Sequence, residues 1–408
     1  MMSSVSTIRV KISRYFPALD NVNFRSFWRS QCIALIGIWM QTTAQAWLVF
    51  SLTDSSFFLG LSVAAGAIPI LVLSPFVGVF IDRYSEKKAL LLSQAVVMAL
   101  AFVVATLLWL NTVRFWHIML ISLFSGIANA VNFPARQTYI CKLLGKEELV
   151  NGIALNSVVF NTARIIGPAL AGILMRYAGI AVCFFAAGLC FIPVIIRIYT
   201  INAGSGKETA VSEVCRDTES VWRYISEKNI LLGTLLLSAV IGMLAMNYSV
   251  LTPVFAGNVL SKGETGFTLL LSFMGIGSLI GAILMAAKSR KITGRRLLLL
   301  CPITISCLFL LLGIVKSSYL AAAIYLVYGF CVTVFATISN ATIMLNTADG
   351  LRGRVVGIYT LLFTGTNPIG GIISGILAER FGAAACYMIL GFVICFLMMI
   401  VRRMIHAK

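Results

Sequence analysis

The residues equipped for chemistry in this sequence are few. The stretch Gly78-x-x-x-Asp82-Arg83-x-x-Glu86-Lys87-Lys88 puts five charged side chains into seven positions, directly after an apolar run. Neighbouring carboxylate and guanidinium groups there can pair with each other or with a third charge. Two further arginines, Arg136 and Arg164, fall inside apolar runs, where a cation is costly and asks for an anion. The chain has only fourteen Asp and Glu, and none lies in the middle of an apolar run. A buried carboxylate for proton carriage is therefore missing, and Asp54 and Asp82, at the ends of apolar runs, are left as the acids placed to take up protons. Catalytic signatures are absent too: His117 and His406 form no HExxH pair, no mid-run Asp pair exists, and no GxxxxGK[ST] phosphate loop occurs. The ten Cys contain no CxxC pair and read as small buried apolar residues. No enzyme activity, metal or cofactor is expected.

These residues need positioning elements, and the composition says in which solvent. Of 408 residues 60% are hydrophobic and 11% charged, and the mean hydropathy is +0.97. A soluble domain is about a quarter charged, so this surface must face lipid. The net charge of +18 does not indicate nucleic acid, because the basic residues form short clusters between apolar runs. Twelve runs are long enough to span as helices: about 26–51, 57–81, 89–110, 115–141, 150–176, 180–199, 229–256, 265–287, 297–315, 318–346, 354–378 and 384–401. Strands would instead alternate with a period of two. Threading these runs through a bilayer puts most Lys and Arg on one side; the other side receives only Arg114, Arg176, Lys262, Lys316 and Arg380. The positive-inside rule then makes both termini of a multi-pass membrane protein cytoplasmic. Residues 1–24 lack the short apolar core and cleavage site of a signal peptide.

The chain also repeats itself. Shifted by 203 residues, Gly60, Gly78, Gly126, Gly167, Gly172, Gly179 and Gly188 land on Gly263, Gly281, Gly329, Gly370, Gly375, Gly382 and Gly391. Lys87 and Lys88 land on Arg290 and Lys291. The expected fold is all-α, with twelve membrane helices in two pseudo-symmetric six-helix bundles, 1–200 and 229–408, joined by a polar cytoplasmic linker at 201–228. Six is an even number, so the two copies face the same way.

The loop Gly78-x-x-x-Asp82-Arg83-x-x-x-Lys87-Lys88 resembles a signature of the major facilitator superfamily, with Ser85 where a glycine is usual. The resemblance implies that Gly78, Asp82 and Arg83 latch the two bundles on the cytoplasmic side; the second copy has Met285 in place of the acid. The bland reading is a solvated basic loop. In span 5, Asn161-x-x-Arg164-x-x-Gly167-Pro168-x-x-x-Gly172 resembles the Gly-Pro motif of superfamily antiporters. Small residues there admit a close helix, and proline frees a carbonyl, which suits a gate. The stretches RSFWRSQ, WMQTTAQAWLVF, PARQTYI and ELVNGIALNSVVFNTARIIGPALAG resemble the branch containing enterobactin-type siderophore exporters and macrolide efflux pumps. That likeness implies a secondary transporter, without an ATP motor, exporting a small organic molecule by alternating access with proton coupling, as a monomer. A lysophospholipid flippase or a nutrient importer on the same fold is the alternative, and a non-transporting membrane sensor is the reading from another class.

In that fold spans 1, 4, 7 and 10 line the cavity. Here they offer Gln41 and Gln45; Asn129, Asn132 and Arg136; Asn247 and Tyr248; Thr333, Thr337 and Asn340. Each is either substrate contact or interhelical glue. Arg136, near the cytoplasmic end of span 4, is expected to snorkel or to pair with Asp82. Arg164 is about 14 residues into span 5, roughly 20 Å along the axis, where it would serve an anionic substrate. The driving force is then protons through Asp54 or Asp82, or the membrane potential, worth about 2.3 kcal/mol per charge per 100 mV.

Overall fold

No water satisfies backbone N–H and C=O groups inside a bilayer, so an apolar run must close its hydrogen bonds on itself as a helix. A computed structural model describes residues 17–83, 85–144, 146–201, 218–288, 294–348 and 351–406. Within it every apolar run is helical, and no strand occurs among the described residues. Ten helices there are long and apolar enough to cross a membrane. One of them, Arg354–Arg403, holds two spans divided at Gly382, and the ninth span is the shorter helix Arg296–Leu312. The protein is thus an all-α membrane protein with twelve spans.

The duplication is visible in the backbone. Gly179 opens the helix Ile180–Leu189 with φ 88° and ψ 163°, and Gly382, its partner in the repeat, has φ 82° and ψ 158°. A Cβ at either would meet nothing within 4 Å, so the backbone angle, which L side chains avoid, is what requires glycine. Close packing repeats as well. A Cβ on Gly167 would run into Trp39 and Met40, and a Cβ on Gly370 would run into the carbonyl of Met243, the counterpart of Met40. Lipid tails are as apolar as leucine, so helices associate through such small-residue contacts and interhelical hydrogen bonds. Spans 8 and 10 show both: Gly277 and Gly329 admit the neighbouring backbone, and Ser278 Oγ lies 3.2 Å from the Gly329 carbonyl.

Three spans depart from the straight helices expected of them. Span 6 is two pieces, Ile180–Leu189 and Ile192–Thr200, because Pro193 has no N–H to continue the ladder. Span 11 is broken between Arg352–Phe363 and Asn367, where Pro368 cannot bond back to Thr364. Span 7 is Asn229–Val240, a π turn Ile241–Ala245, the short helix Tyr248–Val254 and a second π turn Phe255–Val259. Span 5, with its own proline, stays continuous from Lys146 to Ala178. Of the segment read as linker, 202–217 lies outside the described residues. Thr218–Ser226 is a helix whose Val221 and Ile225 pack with Leu231, Leu235, Ile343, Val355 and Tyr359.

The chain forms two compact units. One holds Met1–Ala44 and Ile68–Val211; the other holds Gln45–Ala67 and Ser212–Lys408. The hairpin of residues 45–67, at the junction of spans 1 and 2, therefore packs with the second unit. Its fastening is specific. Just past span 11, Glu379 Oε2 accepts from Ser55 Oγ at 3.0 Å, Ser56 N at 2.8 Å, Ser56 Oγ at 3.0 Å and Phe57 N at 3.4 Å. These N–H groups begin the helix Ser56–Arg83, so the carboxylate caps them and faces the positive end of the helix dipole. Gly60 and Gly375 let the two backbones meet beside this clamp. Partial burial pushes the Glu379 pKa up, but the Ser56 and Ser55 hydroxyls and the N–H groups of Phe57 and Ser56 outweigh it, and the net shift is downward.

Two predictions follow from this packing. Gly370→Ala must push Met243 aside, and overpacking of this kind costs about 1–3 kcal/mol, so the thermal unfolding midpoint of the purified protein falls. A carboxyl held below its ordinary value of 4.5 gives a clamp present above that value and lost as pH falls through the lower, folded one. Hydrogen-exchange protection at Ser56 and Phe57 therefore drops in acid in the wild type. In Glu379→Gln it is low throughout and independent of pH.

Candidate functional site

The first unit carries the two arginines that the sequence places inside spans. Arg164 lies over the Trp39 ring with its Cζ 5.7 Å from the centroid, a cation–π pairing across the span 1–span 5 contact made possible by Gly167. Arg136 is buried. It is 5% exposed, its Cζ is 5.4 Å from the Phe133 centroid, and its Nε is buried without a hydrogen-bond partner. Its expected partner Asp82, with Gly78 and Arg83, has its side chain outside the described residues. Gln41 is buried, with Oε1 unpartnered. Asn132 donates to Ser93 Oγ at 3.0 Å and so ties span 4 to span 3, while Asn129 is half-buried. Pro168 is buried and Gly172 half-buried on span 5.

In the second unit the polar residues gather around the break in span 7. Asn247 is 1% exposed. Its Nδ2 donates to the Met243 carbonyl at 2.6 Å and to Ser374 Oγ at 2.9 Å, leaving Oδ1 without a partner. Tyr328 donates to the Ala245 carbonyl, and Asn367 Nδ2 reaches the Met246 carbonyl at 3.3 Å. Beside them Tyr325 OH lies 2.9 Å from Thr252 Oγ1 and 2.6 Å from Tyr387 OH. The crevice between Tyr248, Tyr325, Tyr328, Tyr387 and Phe309 has no room for a water molecule, so this cluster is packing and hydrogen bonding rather than a chamber. On span 10 Thr337 is exposed and bonds back to the Thr333 carbonyl at 2.8 Å. Gln45 belongs to the hairpin with the second unit. Asp54, in the turn before the Glu379 clamp, has a positive φ of 46°.

Sequence reasoning singled out neither Glu379, nor Tyr387, nor the role of Lys87. Lys87 leaves the signature loop to donate to the carbonyls of Tyr199 and Ile201, at 2.9 and 2.8 Å, capping the end of span 6 as a cation should. In sequence it belongs to the loop signature and to the repeat, neither of which points to span 6. Glu379 was discoverable as an acid three residues before the Gly382 of the repeat, but its partners are some three hundred residues away in sequence.

Comparison with known proteins agrees with this architecture. The family model of the transmembrane secretion effectors matches residues 12–407. The chain is similar to the staphyloferrin A transporter of Staphylococcus aureus, 23% identical over 384 residues that cover 90% of this chain and 92% of that protein. It is similar to the multidrug efflux pump Tap of Mycolicibacterium fortuitum, 24% identical over 357 residues, 84% of this chain and 86% of the pump. Among solved structures, a variant of the nucleoside transporter NupG superposes with a TM-score of 0.75 at 14% identity, over 95% of this chain and 99% of that one; this likeness concerns the fold. The matched span takes in all twelve membrane helices, and the chain belongs to the transmembrane secretion effector family of the major facilitator superfamily.

Proposed function

We propose that this protein exports a small organic molecule, siderophore-like or drug-like, across the cytoplasmic membrane by alternating access. The observation that carries the reading is the full-length match to a secretion family, together with relatives named as a siderophore transporter and a multidrug efflux pump. Both termini are taken as cytoplasmic from the distribution of Lys and Arg, and the protein acts as a monomer. Gln41, Gln45, Asn129, Asn132, Asn247, Thr333 and Thr337 remain the proposed cavity set. Asn132 and Asn247 already bond to other spans, so they would act by holding the lining in place. Gly167, Pro168 and Gly172 would form the flexing seam of the first unit, and Gly78, Asp82, Arg83 and Arg136 the cytoplasmic latch.

Arg164 is the proposed anion contact. A guanidinium presents paired N–H donors to an anionic oxygen, and the Trp39 face beside it suits a flat or aromatic acid such as a deprotonated catechol. Counterflow in proteoliposomes with a siderophore, a macrolide and a lysolipid tests the substrate class: exchange of only the lysolipid would replace export by lipid flipping. With the same assay, Arg164→Gln is expected to lose uptake of anionic substrates by roughly tenfold or more, one charge-assisted hydrogen bond's worth, while neutral substrates keep their rate. Wild-type ratios in that variant would remove Arg164 from the site.

Coupling is the remaining step. With no carboxylate in mid-span, protons from the outer side meet Asp54 and Glu379 in adjoining turns, and protons inside meet Asp82. Asp54→Asn is expected to flatten the dependence of export on the proton gradient. Full dependence in Asp54→Asn with loss of it in Glu379→Gln would move the coupling to the clamp. Dependence unchanged in both would leave Asp82 or the membrane potential.

A further inference from the structure

The first unit carries a groove that the transport reading does not use. It is about 740 Å³ in volume and runs between the start of span 1 and the second half of span 6. Span 1 lines it with Val22, Arg25, Ser26, Arg29, Ser30 and Ile33, spaced so that they share one helical face. Span 6 adds Ile192, Pro193, Ile196 and Arg197. Three arginines thus face one cleft, and no acidic residue lines it. The ion pairs among the described residues are Lys142–Glu86 and Arg223–Glu227, so none of the three is neutralised by either. Arg25 lines the groove and donates from Nη1 to the Leu19 carbonyl at 3.1 Å.

The vertical order of the lining says what fits. The helix of span 1 begins at Val22 and the helix of span 6 ends at Thr200, so their groove-lining ends run in opposite directions. Arg29 to Ile33 and Arg197 to Ile192 are therefore both steps of about 6–8 Å toward the membrane interior. Charge lies at the mouth and isoleucine lies below it on both walls. Ile33, Ile192 and Ile196 are 44%, 37% and 53% exposed, an apolar floor left partly open among the described residues. A free anion would have no use for that floor, and a neutral lipid would have no use for three guanidinium groups.

We propose that this groove binds an anionic phospholipid, with its phosphate between Arg25, Arg29 and Arg197 and its acyl chains along Ile33, Ile192 and Ile196. Guanidinium groups match phosphate oxygens in pairs, and basic clefts between membrane helices are suited to such headgroups. The site is separate from Arg164 and from the proposed cavity residues, and it stands whether or not the export reading does.

Native mass spectrometry of the purified full-length protein in neutral detergent tests it, with phosphatidylglycerol and phosphatidylcholine of identical chains as probes. Phosphatidylglycerol should bind at least tenfold more tightly. Arg25→Gln, Arg29→Gln and Arg197→Gln should each weaken it about fivefold, as expected for about 1 kcal/mol per basic residue near an anionic lipid. The triple Gln variant should bind the two lipids alike, the triple Lys variant should keep the preference, and Arg402→Gln with Arg403→Gln should leave it intact. A triple Gln variant that retained the preference would overturn the proposal, as would loss of it in the Arg402/Arg403 control. Displacement of the lipid by about 10 mM inorganic phosphate would make the site one for free anions, and would also overturn it.

Discussion

The structure depends on the absence of water from the bilayer core. Every carbonyl and N–H must be satisfied within the protein, and the two units meet that demand differently. Spans 1 and 5 are unbroken helices, Val22–Thr53 and Lys146–Ala178, whose backbones close on themselves except opposite Pro168. In the second unit their repeat partners, spans 7 and 11, are interrupted, and side chains complete the accounting. Asn247 takes the Met243 carbonyl, Tyr328 that of Ala245 and Asn367 that of Met246. Breaking span 7 thus requires polar side chains from spans 10 and 11, which explains why amides and tyrosines concentrate there without forming a chamber.

Glycine sets where these elements touch. Gly242 and Gly370 bring the broken spans 7 and 11 into backbone contact, Gly242 against Phe363 and Gly370 against Met243. Gly60 and Gly375 do the same for the hairpin of residues 45–67. Because apolar surface gains nothing by leaving lipid, these approaches and the hydrogen bonds beside them supply the association energy that burial supplies in water. The Glu379 clamp belongs to the same economy of contacts: one carboxylate oxygen gathers four donors and fixes the start of a helix.

Much of this was legible in sequence, for reasons specific to membranes. Apolar length marks a span almost regardless of tertiary context, so the twelve spans and the repeat of Gly179 on Gly382 read correctly. The breaks were not legible. Pro168 and Pro368 look alike in sequence, yet only Pro368, preceded by Thr364-Gly365-Thr366 and followed by Gly370 and Gly371, interrupts its span. The π turns of span 7 contain no proline before Pro253 and follow from neighbours, not from local propensity. Among the candidate site residues, Asn132 and Asn247 have the amide chemistry that a substrate contact needs, but the side chains they meet, Ser93 and Ser374, come from distant spans that no local pattern reveals.

The asymmetry bears on how an ancestral duplication diverges. The repeat keeps its backbone requirements, seen in two glycines with matching positive φ, while charge is reassigned. The first unit retains Arg136 and Arg164 inside its spans; at the corresponding positions the second has Ser339 and Asn367. Asn367 now satisfies the Met246 carbonyl in span 7, whereas Arg164 lies against the Trp39 ring of span 1. The same span–span contact therefore holds a guanidinium in one unit and a helix break in the other. A cation can attract an anionic cargo but resists distortion of the helix around it, since moving it leaves charge in hydrocarbon. A break stitched by neutral hydrogen bonds, each worth about 0.6–2 kcal/mol, can be remade in a second arrangement at modest cost. At this contact one unit carries a guanidinium on an aromatic face and the other a break stitched by neutral hydrogen bonds.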